Sequence, residues 1–110
     1  MRIRFYTTAS GRSPVEEFLA NCSEGLRLDF FDAIALLAAG KVLSMPLSRN
    51  LSSIYAGLHE LRLKNGAGQI RVFYFVERGD AIYLLHAFKK KTQELPAKET
   101  NLVLKRIREV

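Results

Sequence analysis

Three observations predict an α+β domain. Residues 58–90 read as three short strands joined by two glycine turns, helical periodicities fall in blocks before and after them, and an alternating segment opens the chain. The expected order is β-α-α-β-β-β-α: an N-terminal strand, a two-helix hairpin, a three-stranded antiparallel meander and a C-terminal helix. Residues 1–110 show no repeat and no low-complexity linker, and this length suits one domain with one hydrophobic core.

The elements follow in turn. Residues 1–6 alternate, with Ile3 and Phe5 on one face of a first strand. Ser13, Pro14 and Glu16 have the spacing of a helix start, with Ser13 as N-cap, Pro14 at the first helical position and Glu16 completing a capping box. Val15, Phe18, Leu19 and Cys22 then form an apolar stripe, which Ser23, Glu24 and Gly25 interrupt. A second helix is expected from about Leu26 to Ala39, burying Leu26, Phe30, Ala33, Ile34 and Leu37 and stopping at Gly40. Residues 41–57, rich in serine and without a period, read as a connection that holds at most a short helical turn. After the meander, Pro96 at a first helical position opens the last helix, with Thr100, Val103, Leu104 and Ile107 at helical spacing.

The meander carries the chemistry. Asn65-Gly66-Ala67-Gly68 and Arg78-Gly79-Asp80 are hairpin signals. The first hairpin sets Lys64 opposite Gln69, Arg62 opposite Arg71 and Glu60 opposite Phe73; the second sets His86 or Phe88 opposite Arg71. Alternation then groups Glu60, Arg62, Lys64, Arg71, Phe73, His86, Phe88 and Lys90 on one face. Leu61, Leu63, Ile70, Val72, Tyr74, Val76, Tyr83, Leu85 and Ala87 fall on the other, which the helices should cover, leaving the arginine face at least partly open. Two guanidinium groups opposed across a sheet repel each other, and a bound polyanion would offset that repulsion. On an open face, replacing Arg71 by alanine would leave the fold intact.

The charge distribution agrees. Residues 1–57 hold 6 Lys/Arg against 5 Asp/Glu, whereas residues 58–110 hold 11 against 6, so nearly all of the net charge of +6 lies in the second half. Such asymmetry fits a nucleic-acid-binding surface. No apolar run approaches the roughly 20 residues of a membrane span, and the chain starts on the alternating strand, not on a signal peptide, so a cytoplasmic protein without membrane association is expected. Cys22 is the only cysteine and suits core packing, which excludes an internal disulfide and a cysteine-based metal site. His59 and His86 fall on opposite faces and cannot share a metal ion. Neither a serine or cysteine triad nor a phosphate-cradling glycine loop is present, so phosphodiester chemistry by basic side chains, without metal or cofactor, is what remains. Cleavage of RNA by its own 2′-hydroxyl needs a base, cations at the phosphorus and an acid for the leaving 5′ oxygen. Arg62 and Arg71 can clamp a phosphate. Lys89, Lys90 and Lys91, at the end of the last strand, can supply a base or an acid because crowding by cations lowers a lysine's pKa; as a bland alternative, they are a solvated run. Glu60 is a second candidate base, or it neutralises the arginines. Lys64, Phe73, His86, Phe88 and Lys91 would contact RNA, the phenylalanines by stacking on bases.

These residues also carry a resemblance. Gly57-Leu58-His59-Glu60-Leu61-Arg62, Arg71-Val72-Phe73-Tyr74, and Leu85-His86-Ala87-Phe88-Lys89-Lys90-Lys91-Thr92-Gln93 with Pro96 resemble the phage-derived HigB-like branch of the RelE/ParE toxin superfamily over nearly the whole chain. The resemblance implies a RelE-like fold and a ribosome-dependent mRNA endoribonuclease of a type II toxin–antitoxin pair, neutralised by a helix-turn-helix antitoxin of HigA type. By position it makes Arg71 the contact to the scissile phosphate, Arg62 the basic residue of the preceding strand, and Lys89 and Lys90 the basic residues after the last strand. At Glu60 relatives carry either lysine or a glutamate proposed as base. Two other functions share these features: a ParE-like inhibitor of DNA gyrase, which does not need the basic pair, and a non-catalytic nucleic-acid-binding module.

Overall fold

The computed structural model describes residues 1–65, 68–77, 81–91 and 95–110. The turns expected at Gly66-Ala67 and at Arg78-Gly79-Asp80, and Thr92-Gln93 of the resemblance, lie outside the described residues. Within them the chain forms β1 (Arg2–Phe5), α1 (Pro14–Ala20), α2 (Glu24–Ala38), β2 (Ser48–Asn50), β3 (Leu58–Asn65), β4 (Gly68–Val76), β5 (Ala81–Lys90) and α3 (Ala97–Ile107). This is a mixed α+β fold whose strands make one sheet in the order β1-β5-β4-β3-β2. β1 runs parallel to β5, and the other neighbours are antiparallel. Among the described residues, no helix is long and apolar enough to cross a membrane.

The helix boundaries follow from local chemistry. Pro14 stands at the start of α1, but the Ser13 side chain makes no cap bond, so the expected capping box does not form. Arg12 instead ties down the first turn by pairing with Glu17, Nε to Oε2 at 3.1 Å and Nη2 to Oε1 at 2.5 Å. α2 begins earlier than its periodicity suggests, because Ser23 is its cap and accepts from the Leu26 amide at 3.2 Å. At its other end Gly40 takes φ +83° and the Lys41 amide bonds back to Leu36, a left-handed stop that glycine adopts without strain. Pro96 is the N-cap of α3, one residue ahead of the first helical position.

Two features of the sheet depart from expectation. The segment expected as a plain connection contains β2, which pairs with β3, Ser48 opposite Leu61 and Arg49 opposite Glu60. Its anchor is Ser48, which is buried with its Oγ 2.6 Å from the Tyr74 hydroxyl. The second is a bulge: Phe73 faces His86 and Tyr74 faces Leu84, leaving Leu85 as an extra residue on β5. One extra residue reverses the alternation beyond it. Leu84 and Ile82 therefore join the core under α1 and α2, while Leu85 and Tyr83, expected there, turn to the opposite side.

The sheet is thus covered on both faces, where helices on one alone were expected. Val15, Leu19, Leu26, Phe30, Ile34 and Leu37 pack on Leu61, Leu63, Val72 and Tyr74. On the far face, Val103 and Ile107 of α3 cover Leu58, Phe73, Leu85 and Phe88. That second patch is apolar because the bulge delivers Leu85 to it, and leaving it exposed would forgo roughly 25 cal/mol per Å² of burial. α3 is also tied by polar groups: the Arg106 guanidinium donates to the Leu85 carbonyl at 2.7 Å and lies 4.8 Å from the Tyr6 ring centre, and Glu99 pairs with His86.

The bulge makes a testable statement. Leu84→Ala and Leu85→Ala should each cost about 2–5 kcal/mol in urea unfolding, since both side chains are fully buried. Only Leu85→Ala should show non-additivity with Val103→Ala, of about 0.5–3 kcal/mol, because only those two share a core. Coupling of Val103 to Leu84 instead would mean that the bulge is misplaced.

Candidate nucleic-acid interface

The register of β3 and β4 builds the site. Arg62 stands opposite Arg71, Lys64 opposite Gln69 and Glu60 opposite Phe73, as the sequence predicts; Phe88 is the β5 residue opposite Arg71. Arg49, on the short edge strand, faces Glu60 from the other side. Glu60 is thus the centre of the group and has 1% of its side chain exposed. Arg71 Nε lies 3.7 Å from Glu60 Oε2, and Arg62 Nε 4.0 Å from Oε1, with Arg71 3% and Arg62 29% exposed. These are ion pairs rather than hydrogen bonds: both carboxylate oxygens and both Nε atoms are buried without a hydrogen-bond partner among the described residues. Isolated charge in such a position would be costly, so the carboxylate and the two guanidinium groups hold one another in place.

Around this group lies a cavity of about 480 Å³ lined by Arg49, Arg62, Gln69, Arg71, Lys90 and Lys91. Gln69 bridges to Arg71, accepting at Oε1 from Nη2 at 2.6 Å. Burial pushes the Arg71 guanidinium below its ordinary pKa; Glu60 opposes that shift and Arg62 adds to it. Lys90 is lowered as well, first by loss of solvent and then by repulsion from Arg71, with Glu60 pulling the other way and Arg62 and Arg49 adding smaller repulsions. A concave surface with five cations around one sunken carboxylate focuses a positive field outward. It can grip a phosphodiester, and the lowered Lys90 amine gives up its proton more readily than an ordinary lysine.

The structure sorts the remaining sequence candidates. Lys91 lines the basic cavity, and Lys64 lines an adjoining pocket with Arg62, Gln69 and Arg71. Lys89 is opposite Ile70 and borders Phe18, Asn21 and Leu26 on the other face of the sheet, so it is not brought to the arginines. Phe73 and Phe88 are buried beneath α3, their rings stacked 5.8 Å apart with His86 beside them. They cannot be platforms for bases in this arrangement, because α3 occupies the space a base would take. His86 is held by Glu99 and lies 3.4 Å from Arg106, with its pKa pushed down chiefly by burial. The expectation that Arg71 could be removed without disturbing the fold also fails, since its loss would leave buried Glu60 with one partner fewer.

Arg49 and Gln69 are the lining residues that sequence reasoning did not identify. A three-residue strand is too short to show alternation, so nothing in residues 48–50 marked Arg49 as a sheet residue. Gln69 was visible only as the cross-strand neighbour of Lys64.

No curated protein matches the chain. The sequence model described as phage derived protein Gp49-like (DUF891) matches residues 17–108, a span that holds β2 to β5, all three helices save the first residues of α1, and every residue of the basic cavity. The chain belongs to this Gp49-like family of phage-derived proteins, which is a RelE-type, toxin-like family.

Proposed function

We propose that this protein is the toxin of a type II toxin–antitoxin pair, a HigB-like member of the RelE/ParE superfamily that acts in the cytoplasm and cleaves mRNA in the ribosomal A site. The observation that carries the reading is the cavity in which Arg49, Arg62, Arg71, Lys90 and Lys91 converge around buried Glu60. A ParE-like gyrase inhibitor requires no such convergence. A helix-turn-helix antitoxin of HigA type would neutralise the protein.

The positions support the following chemistry. The 2′ oxygen attacks phosphorus, the bond from phosphorus to the 5′ oxygen breaks, and the products are a 2′,3′-cyclic phosphate and a 5′-hydroxyl. Arg62 and Arg71 hold the phosphate and offset the charge that builds on its oxygens. The free amine of Lys90 takes the 2′ proton, and Lys91 delivers a proton to the leaving 5′ oxygen. Glu60 lies beneath the arginines and has little access to a 2′-hydroxyl, so its part is to fix the two guanidinium groups in place, not to act as base.

Primer extension on translated mRNA is the test. Lys90→Ala should slow cleavage by roughly 100- to 10,000-fold, the usual contribution of a positioned base, with thermal stability near the parental value. Lys89→Ala, on the opposite face, should cleave close to the parental rate. Equal loss in the two variants would contradict the placement of the site, and gyrase inhibition in the absence of cleavage would move the protein to the ParE-like class. Arg71→Ala is a poor probe, because breaking a buried pair costs about 3–5 kcal/mol of stability besides any loss of activity. Arg71→Lys keeps the charge but not the two-pronged hydrogen bonding, and should cleave slowly while remaining folded.

The pH dependence gives an independent check. Glu60 raises the pKa of Lys90, so Glu60→Gln should lower it further. A base must be deprotonated to act; the rising limb of the rate profile should therefore move to lower pH in this variant, even as the maximum rate drops. A limb that stays put or moves to higher pH would remove Lys90 from the role of base.

A further inference from the structure

A second cavity adjoins the first. Its volume is about 340 Å³, and it shares Arg62, Gln69 and Arg71 with the basic cavity while adding Pro46, Leu47, Leu63 and Lys64. The segment preceding β2 forms one wall, drawn against β3 by a 2.7 Å hydrogen bond from the Arg62 amide to the Leu47 carbonyl. Met45, 55% exposed, touches the Arg62 guanidinium through its sulfur at 3.3 Å. Resting on the proposed nuclease reading, which seats a phosphate in the first cavity, we propose that the second cavity receives the nucleobase next to that phosphate and selects guanine.

The lining decides the base. Pro46 and Leu47 give an apolar wall, and the Arg62 guanidinium offers a flat cation for a base to stack on. The polar groups of the pocket donate. Arginine has donors only, so Gln69 must present its oxygen to Arg71, and its amide NH2 is left as a donor with no other hydrogen bond among the described residues. Lys64, exposed at the mouth, is a second donor. Guanine shows two adjacent acceptors, O6 and N7, to such a surface, whereas adenine places its N6 amino group against it. A donor-lined pocket therefore accepts guanine and rejects adenine. Gln69 also ties base reading to phosphate binding, since the same side chain steadies Arg71.

The test uses uridine trinucleotides with 2′-O-methyl groups, which block the attacking oxygen, carrying guanine, adenine, cytosine or uracil in the centre. Binding to the whole protein is followed by fluorescence anisotropy. The guanine trimer should bind about five- to a hundredfold more tightly than the adenine trimer, the range set by a two-pronged base contact. Gln69→Glu keeps an oxygen for Arg71 but replaces the donor with an acceptor; all four affinities should fall, and the order of guanine and adenine should reverse. Lys64→Ala, a change at an exposed position, should narrow the preference without reversing it. Binding by the parent without preference, or an unchanged order in Gln69→Glu, would overturn the base pocket and leave the phosphate cavity standing. Failure of all four trimers to bind at low salt would overturn both.

Discussion

The cluster of Arg62, Arg71 and Glu60 rests on one constraint, the antiparallel register of β3 and β4. Once Leu61 and Val72 are committed to the core under α2, Arg62 and Arg71 must stand side by side on the far face. Like charges opposed across a sheet destabilise it, and the chain answers with Glu60, two residues before Arg62 and opposite Arg49. The carboxylate lies within 4.0 Å of both guanidinium groups. Stability alone gives little reason for such a cluster. Apolar side chains of similar volume commonly serve as well as buried ion pairs, or better by about 1–4 kcal/mol. What the arrangement provides is orientation, with charged groups fixed before any ligand arrives, which is the condition under which electrostatic stabilisation of a transition state is most effective.

The bulge at Leu85 settles how much of that face remains available. By reversing the phase of β5 it gives Tyr83 and Leu85 to the arginine side, creating an apolar patch that α3 must cover. The face is divided as a result. Its Leu58–Phe73–Leu85 portion is core, and its other portion, toward Gln69 and Lys90, is open and basic. Phe88 lies on the border, opposite Arg71 yet under α3. The same division explains the lysines at the end of β5: alternation sends Lys89 to one side of the sheet and Lys90 to the other, so only one of the two adjacent cations can serve the cavity.

Much of this was legible in the sequence, for a physical reason. Hairpin register depends on local turn chemistry and on period-two burial, both readable over a few residues, so the Arg62–Arg71 and Lys64–Gln69 pairs, the alternation of β3 and β4, and the separation of His59 from His86 were all accessible. The helix stripes of α1 and α2 were too. What was hidden depends on distant parts of the chain meeting. β2 is a strand only because Ser48 reaches Tyr74 and Arg49 reaches β3. The bulge has no mark in the run Tyr83-Leu84-Leu85-His86, where either leucine could face either core. The burial of Phe73 and Phe88 follows from α3, whose amphipathic pattern says that it must pack but not on which face, and that of Arg71 from the close grouping with Glu60 and Gln69.

That hidden part changes how Arg71 is understood. Seen from the sequence, it is a phosphate-binding charge on an open face whose loss would leave the fold intact; in the fold it is 3% exposed, bonded to Gln69 and paired with Glu60. A buried arginine of this kind links binding to the integrity of the sheet, because the groups that hold it are also those that shape the cavity. Arg49, Lys90 and Lys91, at the rim, carry no such structural burden. The two sets therefore divide the work: the buried set fixes geometry, and the rim set supplies field strength and a lysine whose proton affinity is lowered by loss of solvent and by the cations it faces. Under the proposed nuclease reading, substitution at the rim should change affinity and rate with little change in fold, whereas substitution in the buried set changes all three together.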